Sequence, residues 1–132
     1  MLGLVSNART FVVTQPIDGR KGADSLMVIV RDELAHDPLS GHFYVFFTRR
    51  CDGVRITYWD RDGIAMWSKR LERGRFRPAF SNDGRLRADA VEWAELALVL
   101  EGIDLAGARR RPRWLPANNS REIRNLESAR PV

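Results

Sequence analysis

Three strand-like segments and two tight turns follow one another in residues 42–69, which read HFYVFFTRRCDGVRITYWDRDGIAMWSK. The segments at 42–48, 54–59 and 64–69 are rich in β-branched and aromatic residues, which favour extended, half-buried backbone. Both turns end in Asp-Gly, a dipeptide typical of hairpin loops. The stretch therefore predicts an antiparallel β-meander.

The chain before the meander predicts one strand and one helix. Residues 10–14, TFVVT, form a short strand that a following proline ends, because proline cannot donate to a strand ladder. Residues 23–35 carry Leu26, Val30 and Leu34 at four-residue steps, which is the spacing of one helix face.

The chain after the meander predicts a further strand and a second helix. A fourth strand is expected at 75–80, after the turn at Gly74. Residues 88–102 have a broad apolar side and end in glycine, which favours a helix with a natural stop. The expected fold class is therefore α+β, a small antiparallel sheet of three to five strands with two helices packed on it.

Positive charge is concentrated at the end of the chain. The 132 residues include 22 Lys and Arg against 17 Asp and Glu, a net charge of +5. Residues 107–132 hold seven Arg and two Glu, so this segment carries the whole excess and residues 1–106 are balanced. Because regular patterning also ends there, we expect one globular domain at 1–106 and a flexible, disordered, Arg-rich tail at 107–132.

Composition argues against several classes of protein. The longest uninterrupted apolar runs have five residues, whereas a membrane span needs about 20. The single cysteine, Cys51, has no partner within the chain, which fits a reducing cytoplasm, and one Cys with two His makes no common zinc site. We therefore expect a cytoplasmic protein with no membrane contact, no export signal and no cofactor.

Basic residues also form clusters inside the balanced body. Such density suits a phosphate backbone, because each contact with a cation releases condensed counterions. Two neighbouring aromatic residues, Trp67 and Phe76, could stack on bases. The alternative is a solvated sheet edge, where Lys and Arg discourage aggregation. The clusters are Arg20 and Lys21, Arg49 and Arg50, and the run of Lys69, Arg70, Arg73, Arg75 and Arg77.

The tail has a basic cluster of its own, followed by an aromatic residue. Its members are Arg109, Arg110, Arg111 and Arg113, with Trp114 next to them. This cluster could grip a phosphate backbone or fold against a partner protein. The alternative is an inert, solubilising extension.

Acidic residues make only a weak case for catalysis. Asp60 and Asp62 could hold Mg²⁺ for phosphodiester chemistry together with Glu72, as in a metal-dependent nuclease. Asp is also typical of hairpin turns, because it caps them and tolerates unusual backbone angles. We interpret the pair as a turn and expect no catalytic residue and no metal site, so the chain is not expected to be an enzyme.

Several blocks of the sequence carry a resemblance to a known family. They are DGRKG at 18–22, DPLSGHFYVF at 37–46, WD at 59–60 with Gly63 and Trp67, KRLERGRF at 69–76 with Pro78, and LEGID at 100–104. In this order and spacing they resemble the TnpB accessory protein of bacterial insertion sequences of family sixty-six, over residues 11–105. One departure is Gly19, where the family usually has Met.

The resemblance implies participation in DNA transposition, beside a larger transposase and another small helper protein. The family is an accessory component and is distinct from the RNA-guided nucleases that share the TnpB label. The basic clusters at 20–21 and 69–77 fall within the family blocks. We therefore expect a non-catalytic factor that binds DNA or helps to assemble the transposase complex. The alternative is a protein adaptor that docks on the transposase without touching DNA.

Overall fold

A computed structural model describes residues 8–101 and the backbone of two short strands beyond them. The elements, in chain order, are β1 Thr10–Val13, α1 Ala23–Asp32, β2 Phe43–Phe47, β3 Gly53–Asp60, β4 Gly63–Arg70, β5 Ala88–Val91, α2 Trp93–Leu100, β6 Ile103–Asp104 and β7 Arg109–Arg110. No helix in this described part of the chain has the length and apolar character needed to cross a bilayer.

The predicted meander forms one side of a five-stranded sheet. Strand β3 pairs antiparallel with both β2 and β4, and the order across the sheet is β4-β3-β2-β1-β5. Strand β1 lies parallel to β2, so α1 is the crossover between them, and β5 closes the far edge antiparallel to β1. The expected α+β class is confirmed, with one parallel pair that the sequence did not predict.

Both faces of the sheet are covered at its central strand, which explains why β2 is apolar along its whole length. Tyr44 and Phe46 pack with α1 on one side, which we call the α1 face. Phe43, Val45 and Phe47 pack on the other side, the α2 face, with buried residues that include Leu96 of α2. A strand between two covered faces is expected to be continuously apolar.

Helix α1 ends three residues earlier than predicted. It runs to Asp32, and the chain then reverses at Ala35, which has a left-handed φ of 57°. The N–H of His36 closes the reversal by donating to the carbonyl of Val30 at 2.9 Å. The predicted apolar stripe remains in place, because Leu26 and Val30 are fully buried and Leu34 packs against the same core.

The predicted single helix at 88–102 is wrong, because its first residues form a strand. Residues 88–91 pair with β1 as β5, and α2 begins only at Trp93. The outer edge of β1 otherwise has unpaired backbone groups, and pairing with β5 satisfies them. The apolar pattern of so short a segment fits either period, so this tertiary pairing decides the structure.

The predicted strand at 75–80 is also wrong. The segment crosses the α2 face as irregular chain, and Phe76 is buried at 2% exposure, with its ring 5.6 Å from that of Phe47. The backbone N–H of Phe76 donates to the carbonyl of Cys51 at 2.7 Å. Burial of the aromatic ring in the core therefore takes the place of a further ladder. It also makes the predicted stacking of Phe76 on a base wrong, because the ring is not accessible.

The predicted domain boundary falls between two short strands. Strand β7, at residues 109–110, belongs to the segment interpreted as a tail and pairs antiparallel with β6 at 103–104. The rest of that segment lies outside the described residues, as does its predicted disorder. The division at residue 106 stays a prediction.

Candidate nucleic-acid interface

Three separate segments meet at one end of the sheet and line an open depression of about 460 Å³. They are the loop at 18–19, the turn at 48–53 between β2 and β3, and the end of β4 at 68–70, together with a residue of β3. We call this site the basic depression. It is lined by five cationic side chains against two carboxylates: Arg49, Arg50, Arg55, Lys69 and Arg70 against Asp18 and Asp52.

The turn between β2 and β3 is held by its own side chains. The N–H of Gly53 donates to Thr48 Oγ1 at 3.1 Å, and this hydroxyl donates to Asp52 Oδ1 at 3.2 Å. A Cβ at position 53 would lie 3.0 Å from Thr48 Cγ2, so glycine permits the close approach. The turn therefore presents Arg49 and Arg50, both exposed, from a fixed base.

The chain directly after β4 is hydrogen-bonded to the same turn. The register of β3 and β4 sets Arg70 opposite Gly53. The N–H of Leu71 then donates to the carbonyl of Asp52 at 2.7 Å. These backbone contacts bring Lys69 and Arg70 beside the turn, although they lie about twenty residues further along the chain.

Arg55 joins the loop before α1 to the sheet. Its guanidinium donates to the carbonyls of Lys21 at 2.9 Å and Gly19 at 2.6 Å. Sequence reasoning missed this residue, because it predicted no contact for the face of β3 that carries Arg55. Arg55 is the one charged residue among positions 53–59, and this is the signal that could have found it.

The carboxylate of Asp18 is already occupied. Arg20 Nη2 lies 2.8 Å from Asp18 Oδ2, and the backbone N–H of Arg20 also donates to this carboxylate. These hydrogen bonds hold the pKa of Asp18 well below its usual range, and the charge of Arg49 adds to the effect. Asp18 is therefore ionised at any physiological pH and offsets part of the charge of Arg20.

Four cations of the depression stand outside the ion pairs found in the part of the chain that the structure describes. Within residues 8–101, the structure shows no ion pair for Arg49, Arg50, Lys69 or Arg70. All four are exposed and converge from two parts of the chain. Each guanidinium group can donate two parallel hydrogen bonds to two oxygens of one phosphate, and a lysine adds a point charge.

Other residues predicted for the interface are distributed differently. Lys21 is exposed beside the depression, on the loop that Arg55 holds. Arg73 and Arg75 are exposed on the chain that follows β4. Burial raises the pKa of the Cys51 thiol in the turn, and the positive charge of Arg75 opposes this rise.

Trp67 and Arg77 lie away from the depression. The ladder sets Trp67 opposite Ile56 on the α2 face, where its side chain is 42% exposed. Arg77 lines a separate cavity of about 330 Å³ on the α2 face, which we call the α2 cavity. Asp89 and Glu95 line this cavity too, among apolar residues.

Most side chains of the basic cluster in the predicted tail lie outside the described residues. Arg109 and Arg110 form strand β7, and their backbone alone is described. Arg111 and Arg113 lie outside the described residues. Their predicted contact with phosphate stays a prediction.

The three acids of the nuclease alternative do not meet. Asp60 and Asp62 flank the tip of the β3–β4 hairpin, where Arg61 has a φ of 58°. Glu72 follows the opposite end of β4, so the length of an eight-residue strand, about 26 Å, separates it from Asp62. Within the described residues, no three His, Cys, Asp or Glu side chains form a group that could hold a metal ion.

Comparison with known proteins places the chain in a family. Residues 8–110 match the family described as IS66 Orf2 like protein. The chain belongs to this family. Membership confirms the resemblance drawn from the sequence blocks and makes the chain a transposition-associated accessory protein.

Two relatives come from Sinorhizobium fredii (strain NBRC 101917 / NGR234). The uncharacterized protein y4jC is 36% identical over 112 residues, which cover 85% of this chain and 93% of the relative. The uncharacterized protein y4hO is 34% identical over 104 residues, which cover 79% and 88%. No solved structure matches the chain.

Proposed function

We propose that this accessory protein is non-catalytic and binds DNA through the basic depression, in a reaction carried out by a separate transposase. The observation that carries the proposal is the meeting of Arg49, Arg50, Lys69 and Arg70 at one open site without ion-pair partners among residues 8–101. A phosphate backbone is the partner whose charge and spacing suit such a site.

The hydrogen bonds that hold the loops around the basic depression support the same proposal. The turn that presents Arg49 and Arg50 is fixed by the Thr48 hydroxyl, and the end of β4 is tied to it through Leu71. Arg55 fixes the third wall of the depression. A loop whose backbone is already held in place loses less conformational entropy on binding than a mobile one.

The test is fluorescence anisotropy of a labelled duplex with the full chain, repeated over a range of salt concentrations. Four phosphate contacts give a slope of log K against log salt of about −3.6, at about −0.9 for each contact. In Arg49→Ala/Arg50→Ala the slope should become shallower by about 2 and the affinity should fall at every salt concentration.

A matched control removes two charges elsewhere. Arg31 is exposed on α1, and Arg61 lies at the hairpin tip with a φ of 58°, which glycine accepts. The variant Arg31→Ala/Arg61→Gly should keep the parental slope. Equal losses in both double variants would show that net charge, and not the basic depression, governs binding.

A protein adaptor that docks on the transposase is the second candidate. The α2 cavity favours it, because its walls are mainly apolar and the adjacent helix exposes Trp93 and Leu98 to 48% and 39%. Pull-down of purified transposase in nuclease-treated, high-salt buffer tests this role, since an association bridged by DNA disappears there. Retention that is lost in Leu98→Asp, with DNA affinity unchanged, would favour the adaptor.

A further inference from the structure

Strand β4 is an edge with its outer side open. It pairs with β3 along all eight residues, and among the described residues nothing pairs with its other side. Residues 63–68 contain no proline and no charge. Ile64, Met66 and Trp67 are exposed to 36%, 39% and 42%. An exposed stretch of edge strand that lacks charge and proline is a template for another strand.

The backbone groups that point outward can be identified. The N–H of Leu71 donates to the carbonyl of Asp52, and these two residues continue the β3–β4 register. Because hydrogen-bonding direction alternates along a strand, residues 63, 65, 67 and 69 also face β3. Ile64, Met66, Ser68 and Arg70 therefore direct their N–H and C=O groups outward.

We propose that the open edge of β4 binds β4 of a second copy of this chain, antiparallel and about a two-fold axis at Met66. A two-fold axis makes the same patch contact itself, so the edge must be self-complementary. In an antiparallel ladder, outward-facing residues pair with one another, and the two registers of this kind that overlap most of β4 are centred on Met66 and on Trp67.

Charge complementarity selects the register centred on Met66. It sets Asp62 of each copy opposite Arg70 of the other, so the dimer has two equivalent cross-strand pairs of opposite sign. It also sets the apolar residues Ala65 and Trp67 opposite each other. The register centred on Trp67 sets Asp62 opposite Glu72, which places like charges together.

The dimer has a consequence for the basic depression. A two-fold axis perpendicular to the sheet keeps both α1 faces on the same side. The two copies of Arg70 then lie at opposite ends of the paired strands, about 26 Å apart along them. The dimer proposal stands on the edge strand alone and does not depend on DNA binding.

Sedimentation velocity of the nuclease-treated full chain, without DNA, measures the association directly. We expect a species of twice the 15.1 kDa chain mass at tens of micromolar. Met66→Pro should weaken association at least about tenfold while the fold remains, because proline is tolerated where the N–H of an edge strand points outward. Met66→Ala is the matched control, since it keeps the N–H.

A charge exchange tests the register and does not depend on proline. Asp62→Arg and Arg70→Asp should each weaken the dimer about tenfold, and the double variant should restore it. A parental chain that stays monomeric at 100 μM overturns the proposal. A dimer that persists in a natively folded Met66→Pro, or one that the double exchange does not restore, overturns it as well.

Discussion

The basic depression and the α2 cavity hold arginines from the same stretch of sequence in opposite surroundings. Lys69 and Arg70 end a strand at an open site, beside further cations. Arg77, seven residues after Arg70, lines a mainly apolar cavity together with Asp89 and Glu95. The buried Phe76 lies between the two regions, since its N–H donates to the carbonyl of Cys51 in the turn and its ring packs in the core of the α2 face. A run of basic residues is therefore not by itself a surface.

Removing the ring that lies between the two regions should have the largest effect. Phe76→Ala leaves a cavity beside Phe47 and should lower the free energy of unfolding by about 3–5 kcal/mol. Urea denaturation followed by circular dichroism measures this change. Leu98→Ala is the control, because Leu98 is 39% exposed and should lose less than about 1 kcal/mol. Similar losses in the two variants would contradict the proposed role of Phe76 as a core residue.

Releasing the loop of the basic depression should have an intermediate effect. Arg55→Gln shortens the side chain and removes two hydrogen bonds to Gly19 and Lys21, so unfolding free energy should fall by about 1–3 kcal/mol. Amide exchange in the loop should accelerate more than exchange in β2. Arg31→Gln, which breaks an exposed ion pair, should cost less than about 1 kcal/mol.

The smallest expected effect concerns the thiol of Cys51, in the turn between β2 and β3. Burial raises the pKa of Cys51, so its thiolate should be scarce at neutral pH and its reaction with a disulfide reagent should be slow. The rate should climb as pH rises past the ordinary range of a cysteine. Arg75→Ala removes a cation that favours the thiolate, which should raise the pKa further and slow the reaction at a given pH.

An unchanged labelling profile in Arg75→Ala would place Arg75 outside the electrostatic reach of the turn. Arg75→Ala should not lower the free energy of unfolding as Phe76→Ala does, because Arg75 is exposed. Together the two readouts separate a charge effect near the depression from a packing effect in the core.

Local pattern determined much of the sheet from the sequence alone. Each end of the three meander strands was predicted to within one residue. The reason is that apolar alternation and the two Asp-Gly turns are local signals, which depend on residues close together in the sequence. The apolar stripe of α1 was predicted for the same reason. The family also followed from the sequence, since its blocks are local motifs whose order needs no structure.

Tertiary contacts decided the rest. Residues 88–91 became a strand because β1 had an unpaired edge, and residues 75–80 became an irregular crossing because Phe76 found a core to fill. The basic depression needed the β3–β4 register and the anchoring of the loop by Arg55, both of which join residues far apart in the chain. The sequence by itself determined local conformation and family, whereas long-range hydrogen bonds and burial determined which cations meet.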